Sequence, residues 1–266
     1  MTHFLNIALA QVEGSPKPED NLITARRFAA DASSKGADIL VFPEMFMALP
    51  QKTDSLTDVA EATDGHFSRE MGKIAGEYHL FIVAGLWEKI PESRLVRNAA
   101  VMLSPDGKIL TVYRKLHLFN ALNGRESDTM APGDELPAIV KIKGFNVSLA
   151  ICYDLRFPEL FRNIAFRGAE LVIVPSGWYA GLLKEDHWLT LLRARAIENT
   201  IYVAGANLTG SAFCGRSTVF DPFGVPKASA GEGVELLAAR IESGRIDEVR
   251  SKLPALKHCR TDLLKP

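Results

Sequence analysis

Val147-Ser148-Leu149-Ala150-Ile151-Cys152-Tyr153-Asp154-Leu155-Arg156-Phe157-Pro158-Glu159 is the stretch on which the reading of this chain turns. Its first part, bounded upstream by Gly144, is a short β-branched and aliphatic run, the pattern of a buried strand. Its last part opens a helix: Pro158 suits the first helical position, and Glu159 suits the positive end of the helix dipole. Cys152 therefore falls where a strand has stopped and a helix is about to begin. Reactive groups in α/β proteins collect at the carboxyl ends of strands, where the sheet opens into a crevice. Two readings of Cys152 follow: a nucleophile activated by nearby cations, or a small buried hydrophobe.

Outward from this stretch, strands and helices alternate. Phe4 to Gln11 reads as a strand ended by Gly14-Ser15-Pro16. A helix follows from about Pro18 to Lys35, with Leu22, Ala25, Ala29 and Ala32 on one face and Gly36 as its stop. Ala37 to Phe42 is a second strand halted by Pro43-Glu44. A helix from about Phe67 to Tyr78 and a strand from Leu80 to Leu86 come next. Arg97 to Leu103 and Ile109 to Tyr113 flank the turn Ser104-Pro105-Asp106-Gly107 as a hairpin.

The second half echoes the first. Asn6-Ile7-Ala8-Leu9-Ala10 matches Asn146-Val147-Ser148-Leu149-Ala150, and Gly36 to Pro43 matches Gly168 to Pro175. Val83-Ala84-Gly85 matches Val203-Ala204-Gly205, and Ser104 to Gly107 matches Asp221 to Gly224. Four matches in one order are a repeat rather than coincidence. Each half is read as a βαβαββ unit with helices on one face of a mixed sheet. Two such units, each with an uncovered sheet face, pack sheet on sheet. The predicted fold is thus α/β, a four-layer α-β-β-α sandwich with an internal pseudo-two-fold repeat, in a single domain over residues 1–266. Its halves are expected at about 4–115 and 145–242, followed by a helix from Ser243 to Leu253 and a polar tail, Pro254 to Pro266, without a core role. The long segment from Lys115 to about Pro137 is poor in apolar residues, and loops of such length inside a domain usually serve function.

Composition excludes several classes. With 47% hydrophobic and 24% charged residues, the 266-residue chain can bury a full core. A net charge of −1 and the lack of a basic, aromatic-interleaved run argue against nucleic acid. The N-terminus has no secretion-signal pattern, and no apolar run approaches the ~20 residues of a membrane span. The three cysteines, Cys152, Cys214 and Cys259, show no paired spacing and fit a reducing compartment. A soluble cytoplasmic protein is expected. The six histidines are scattered and no metal or dinucleotide motif occurs, so neither metal nor cofactor is expected.

Glu44 and Lys115 each follow a predicted strand, and each alone reads equally as a solvated residue. The repeat places the ends bearing Glu44 and Cys152 at the same rim of neighbouring strands. There a lysine ammonium would lower the thiol pKa and hold an oxyanion, and a glutamate would shuttle the proton.

Phe42-Pro43-Glu44, Tyr113-Arg114-Lys115-Leu116-His117-Leu118-Phe119 and Ile151 to Glu159 resemble the three signatures of the nitrilase superfamily of carbon–nitrogen hydrolases. The resemblance implies the four-layer fold, with Glu44 as general base, Lys115 as transition-state stabiliser, Cys152 as nucleophile and Glu126 positioning substrate and lysine. It also implies that backbone N–H groups around Tyr153 join in holding the oxyanion. Within the superfamily the chain is most similar to the Nit-like amidases, above all the deaminated glutathione amidases, through Gly124 to Ser127, Ala131-Pro132-Gly133, Gly181 to Trp188 and Leu192 to Glu198. In that branch Arg156 would meet a substrate carboxylate and Trp178 would line the pocket, although a phenylalanine is usual at the Trp178 position in mammalian-type members.

Other readings of these residues stand beside those. Arg156 could pair with Glu159 or Asp154, Trp178 and Trp188 could be core, and Arg195 and Glu198 suit an ion pair three residues apart on one helix. Lys184 and Arg125 are expected at the rim, holding a second carboxylate. The implied activity is thioester-forming hydrolysis of a small linear amide, that of a 2-oxo dicarboxylic acid, by a homodimer or higher homo-oligomer. Omega-amidase, nitrilase and N-carbamoyl hydrolase activities are alternatives, as is a non-catalytic metabolite-binding protein on the same scaffold.

Overall fold

The structure, a computed structural model, describes residues 2–50, 55–122 and 124–263. The first half runs β1 (Phe4–Gln11), α1 (Pro18–Ser34), β2 (Ile39–Val41), α2 (Leu56–Val59), α3 (His66–Tyr78), β3 (Phe81–Lys89), β4 (Val96–Leu103) and β5 (Ile109–Arg114). The second runs β6 (Val140–Ile142), β7 (Phe145–Leu149), α4 (Pro158–Phe166), β8 (Leu171–Ser176), α5 (Lys184–Asn199), β9 (Tyr202–Asn207), β10 (Thr218–Phe220), β11 (Pro226–Ser229) and β12 (Glu235–Glu242). Two helices, α6 (Ser243–Lys252) and α7 (Ala255–His258), follow.

Two six-stranded mixed sheets result, ordered β12-β1-β2-β3-β4-β5 and β11-β10-β9-β8-β7-β6. The β1–β2–β3 and β7–β8–β9 pairings are parallel, and the strands beyond them are antiparallel. Each half therefore contributes βαβαβββ: all five strands expected in the first half form, and the βαβαββ shorthand counts one too few. The predicted halves also need redrawing at one strand each. β12, from the second half, pairs antiparallel with β1 and completes the first sheet, with Leu5 opposite Ile241. Its counterpart β6 lies just before the expected start of the second half and pairs with β7.

Three apolar layers separate four structural ones. Leu5, Ile7, Ile39 and Val83 from one sheet meet Val147, Leu149, Ile173 and Ala204 from the other. On the outer face of the first sheet, Ala25, Phe28 and Ala29 of α1 and Met71 and Ile74 of α3 cover Leu40, Ile82 and Ala84. Leu160, Phe161 and Ile164 of α4, with Trp188 and Leu192 of α5, cover Val172, Val174 and Val203 of the second. The continuous apolar character of β2 and β8 follows, since both faces of these strands are buried.

Local chemistry sets the boundaries. Pro18 opens α1, with Glu19 and Asp20 in its first turn, and Pro158 opens α4 with Glu159. Between β7 and α4 a 3₁₀ turn, Cys152–Arg156, intervenes, so Cys152 begins that turn rather than adjoining the helix. The tail differs from expectation as well. Leu253 lies beyond the end of α6 and is 41% exposed, whereas α7 packs against α5 and places Leu256 on the outer core of the second sheet. Residues 264–266 of that tail lie outside the described residues.

Candidate active site

Glu44, Lys115 and Cys152 converge, but not from neighbouring strands. Glu44 follows β2 and Lys115 follows β5, both in the first sheet, whereas Cys152 follows β7 in the second. The group thus bridges the two sheets, because the sandwich faces the same strand ends of both repeats toward one another. Glu126 arrives from the long mid-chain segment, on a 3₁₀ turn from Glu126 to Asp128.

Lys115 is 1% exposed and forms the centre. Its Nζ donates to Glu44 Oε1 at 2.9 Å and lies 2.9 Å from both Glu126 oxygens. Glu44 is buried and fully engaged: Asn98 Nδ2 donates to Oε1 at 2.7 Å, and the Gly177 N–H to Oε2 at 2.7 Å. Phe119 N–H donates to Glu126 Oε2 at 2.8 Å, which ties the loop to the site. Every carboxylate charge here has directed donors, the condition on which buried charge is tolerated.

Lys115 lowers the Cys152 pKa as expected, but burial and other groups outweigh it. Withdrawal from solvent raises the Cys152 pKa most, the Glu44 charge raises it further, and Lys115 offsets only part of this. The balance favours the thiol over the thiolate. For Lys115, burial opposes the charged form, but Glu44, then Cys152 and Glu126, outweigh it and hold the pKa above the usual lysine value.

The backbone supports this arrangement. Met45, next to Glu44, and Cys152 itself have φ of 59° and 43°, the left-handed region that non-glycine residues occupy only when their surroundings hold them there. A Cβ on Gly85 would come within 2.7 Å of Pro43 O and 2.8 Å of Glu44 Cα, so this glycine lets β3 pass beneath the Glu44 loop. Tyr153 N–H, at the first turn after Cys152, hydrogen-bonds to no backbone group of the described residues. It is free to donate to a ligand beside the sulfur.

Glu44, Met45, Phe119, Glu126, Cys152, Tyr153, Arg156, Gly177, Trp178, Tyr179 and Lys184 line a single pocket. Arg156 neither pairs with Asp154 nor with Glu159. Its guanidinium lies 4.9 Å from the Trp178 ring centroid, and its Nη2 lies 3.4 Å from His187 Nδ1. Lys184 Nζ stands 4.8 Å from the same ring, and its pKa is lowered by desolvation and by Arg156. Trp178 is both core and lining: it is buried, packs near Trp188, and donates from Nε1 to Lys184 O at 2.8 Å. Trp188 is packing, as its Nε1 bond to Arg216 O and its full burial require. Arg195 does pair with Glu198, at 2.9 Å, and also donates to Leu155 O, bracing the turn after Cys152. Arg125 does not reach the pocket, for it lines a separate surface groove with Asn120, Ser127 and Asp128.

Asn98 and Gly177 escaped the sequence reading. Asn98 had a signal, a lone amide inside the apolar run of β4, whereas Gly177 acts through its N–H and leaves none. Cys214 is buried beside Asn207, and Cys259 is partly exposed; both are free thiols. Among the described residues no cluster of histidine, cysteine or carboxylate side chains could hold a metal ion, and no helix is long and apolar enough to cross a membrane.

Known proteins share this arrangement's fold over almost the whole chain. A deaminated glutathione amidase of Synechocystis sp. is 36% identical, over 97% of this chain and 98% of its own length. An omega-amidase of Mus musculus is 34% identical, over 97% and 95%. The crystal structure of the NitFhit protein of C. elegans superposes with a TM-score of 0.91 at 32% identity, covering 99% of this chain and 66% of that one. A variant of the amidase from Nesterenkonia sp. AN1, with the acetamide moiety of fluoroacetamide added covalently at its active-site cysteine, gives 0.84 at 29% identity, over 97% and 95%. The family profile described as carbon-nitrogen hydrolase matches residues 6–251, and the chain belongs to that family.

Proposed function

We propose that the protein hydrolyses a linear amide through a thioester on Cys152. The carrying observation is that the Cys152 thiol, the engaged Glu44 carboxylate and the Lys115 ammonium stand together at one pocket floor. Glu44 takes the Sγ proton as sulfur attacks the amide carbon, a task that suits a thiol which does not ionise by itself. The carbonyl oxygen gains negative charge beside Lys115 Nζ and the Tyr153 N–H. Collapse returns the proton from Glu44 to the leaving nitrogen and expels ammonia or an amine. Water then attacks the thioester, giving up its proton to Glu44, and the acid and the thiol are released. Glu126 holds Lys115 in place throughout.

The substrate class proposed is the amide of a 2-oxo dicarboxylic acid, such as deaminated glutathione. Arg156 and Lys184 support it: two cations line the pocket, and neither makes an ion pair with a carboxylate among the described residues. The smaller omega-amidase substrate 2-oxoglutaramate would use the same cations, and only its leaving group differs. A homodimer or higher homo-oligomer in the cytoplasm belongs to the same proposal. Exposed Ile197 and Phe223, near one another on the α5 side, offer a second copy an apolar face. Size-exclusion light scattering tests the association.

The test of function is direct. Incubation with deaminated glutathione, 2-oxoglutaramate and simple amides should release amine or ammonia and, on rapid quench, leave an acyl adduct on Cys152 visible by mass spectrometry. Turnover without any adduct at Cys152, or no turnover of any amide, would overturn the reading.

A further inference from the structure

We infer that Asp154, which has no part in the chemistry above, is a positioning residue whose carboxylate fixes Lys115 against Cys152. The inference rests on the function proposed for that site. Asp154 is fully buried, at 0% exposure. Such a carboxylate is costly unless donors satisfy it, and here four do. Tyr113 Oη donates to Oδ2 at 2.7 Å and Ile151 N–H to Oδ2 at 2.9 Å. His117 N–H donates to Oδ1 at 3.1 Å, and His117 Nδ1 lies 2.7 Å from the same oxygen. A carboxylate only accepts, so Nδ1 carries the hydrogen. Burial and then the Asp154 charge hold the Tyr113 pKa well above the usual tyrosine value, and its hydroxyl remains a donor.

The placement of these donors gives the inference its content. Tyr113 and His117 flank Lys115 by two residues on either side, at the end of β5 in the first sheet. Ile151 immediately precedes Cys152, and Asp154 follows it by two, at the end of β7 in the second sheet. One carboxylate therefore ties together the two segments that bear the ammonium and the thiol, across the interface between sheets. It also closes the turn around Cys152: Ile151 N–H bonds to its side chain, and its own N–H bonds to Ile151 O at 2.9 Å. That closure holds Cys152 at its positive φ of 43°. The His117 ring lies flat on Phe157, with centroids 3.6 Å apart and planes 8° apart, so the hydrogen-bonding edge is aimed before Asp154 receives it.

A merely structural role would make these residues matter for folding alone, and paired substitutions at His117 separate the two. H117F keeps the stack on Phe157 and loses the bond to Asp154. H117N loses most of the stack and keeps an N–H near the Nδ1 position. Positioning predicts that H117F and Tyr113→Phe lower kcat about 10- to 100-fold with little change in KM, because small misplacements of reacting groups have effects of that size. It predicts that H117N stays within about threefold of wild type, since the bond and not the ring carries the effect. Asp154→Asn should lose at least as much as H117F, because the amide NH2 would face two of the four donors; if it does not fold, the His117 and Tyr113 variants carry the test.

Alkylation of Cys152 by iodoacetamide at fixed pH supplies a readout independent of substrate. Loss of alignment with the ammonium slows alkylation in H117F, whereas simple loosening of the fold would expose the thiol and speed it. Kinetic losses that follow melting temperature, with faster alkylation, or an H117F enzyme equal to wild type, would overturn the inference. C152A separates this from failure of the proposed function: an active C152A would sink that function, whereas a dead C152A beside a normal H117F sinks only the role of Asp154.

Discussion

Lys115 stands between two carboxylates, its Nζ 2.9 Å from Glu44 Oε1 and 2.9 Å from each oxygen of Glu126. Two negative charges around one ammonium leave the floor with an excess of negative charge while the thiol keeps its proton. Burial first, and then this excess, hold the Cys152 thiol against ionisation despite a lysine nearby. In the proposed reaction the excess also prepares the site for what happens on attack. Once Glu44 has accepted the proton, Lys115 faces one carboxylate fewer and is freer to meet the new oxyanion. Stabilisation then grows as the reaction proceeds, which is what accelerates a chemical step.

Lys115→Arg tests that account. A guanidinium keeps the charge but is a planar fork too wide for the gap between Glu44 and Glu126. The expected outcome is a loss of kcat by at least about 100-fold with KM little changed, the size seen when an oxyanion donor is removed. Steady-state kinetics decides: a normal kcat with a raised KM would move Lys115 from chemistry to substrate binding.

Cys152→Ala should abolish turnover and leave thermal melting unchanged, because the side chain is small and sits at the end of a strand. In the wild type, the raised thiol pKa sets a pH dependence. Below its pKa the thiol holds its proton, so alkylation of the substrate-free enzyme should still be climbing at pH 9, above the usual cysteine value of about 8.5. A rate that levels off below pH 8 would mean the resting residue is a thiolate and that Glu44 is not needed to deprotonate it.

Much of this candidate site could be read from sequence because Glu44, Lys115 and Cys152 each follow a strand of plain pattern, whereas Glu126, on the mid-chain loop, is indicated only by the family resemblance. Glu44 and Cys152 end continuous apolar runs, and the repeat of Gly36 to Pro43 in Gly168 to Pro175 gives away the sandwich. What stayed hidden depends on which edge meets which. The exchange of β12 onto β1 is invisible because nothing in Glu235–Glu242 says which sheet it joins. The opposition of β2 and β7 across two sheets was mistaken for adjacency within one, since a repeat shows equivalence but not facing. The net effect on the thiol is hidden for a related reason: the attraction of one lysine is apparent from motifs, but the burial and the carboxylates that outweigh it are properties of the assembled floor. Gly177 contributes a backbone N–H, to which sequence is blind.

Asn98 offers a test of the base. Its Nδ2 donates to Glu44 Oε1 at 2.7 Å, and Asn98→Asp would put a second carboxylate there with almost no change of shape. Like charges resist joint ionisation, so the pair's apparent pKa rises and the basic form of Glu44 is lost at a higher pH on acidification. The acid limb of the kcat/KM profile should therefore move upward by about one unit or more. An unmoved limb with an altered melting temperature would show that Asn98 supports the fold and that Glu44 does not supply the base.

Arg156 decides the substrate class. Its guanidinium lies over Trp178 within the pocket, away from Asp154 and Glu159, so the fork that could bind a carboxylate with two parallel bonds is not spent on the protein's own acids. Lys184, on the same ring, adds a second positive charge in partly desolvated surroundings. Holding two cations close together there is unfavourable until an anion arrives, and the free carboxylate of a 2-oxo dicarboxylic monoamide relieves that repulsion as it binds. Arg156→Ala would leave a substrate carboxylate unpaired, at ~2–4 kcal/mol of transition-state binding, or roughly 30- to 1000-fold in kcat/KM. A neutral aliphatic amide brings no such charge and should lose little in the same variant. Measuring kcat/KM for 2-oxoglutaramate and for a neutral amide of similar length in both enzymes gives the comparison. Equal losses for the two amides would assign Arg156 to packing against Trp178 and remove the physical support for an anionic substrate.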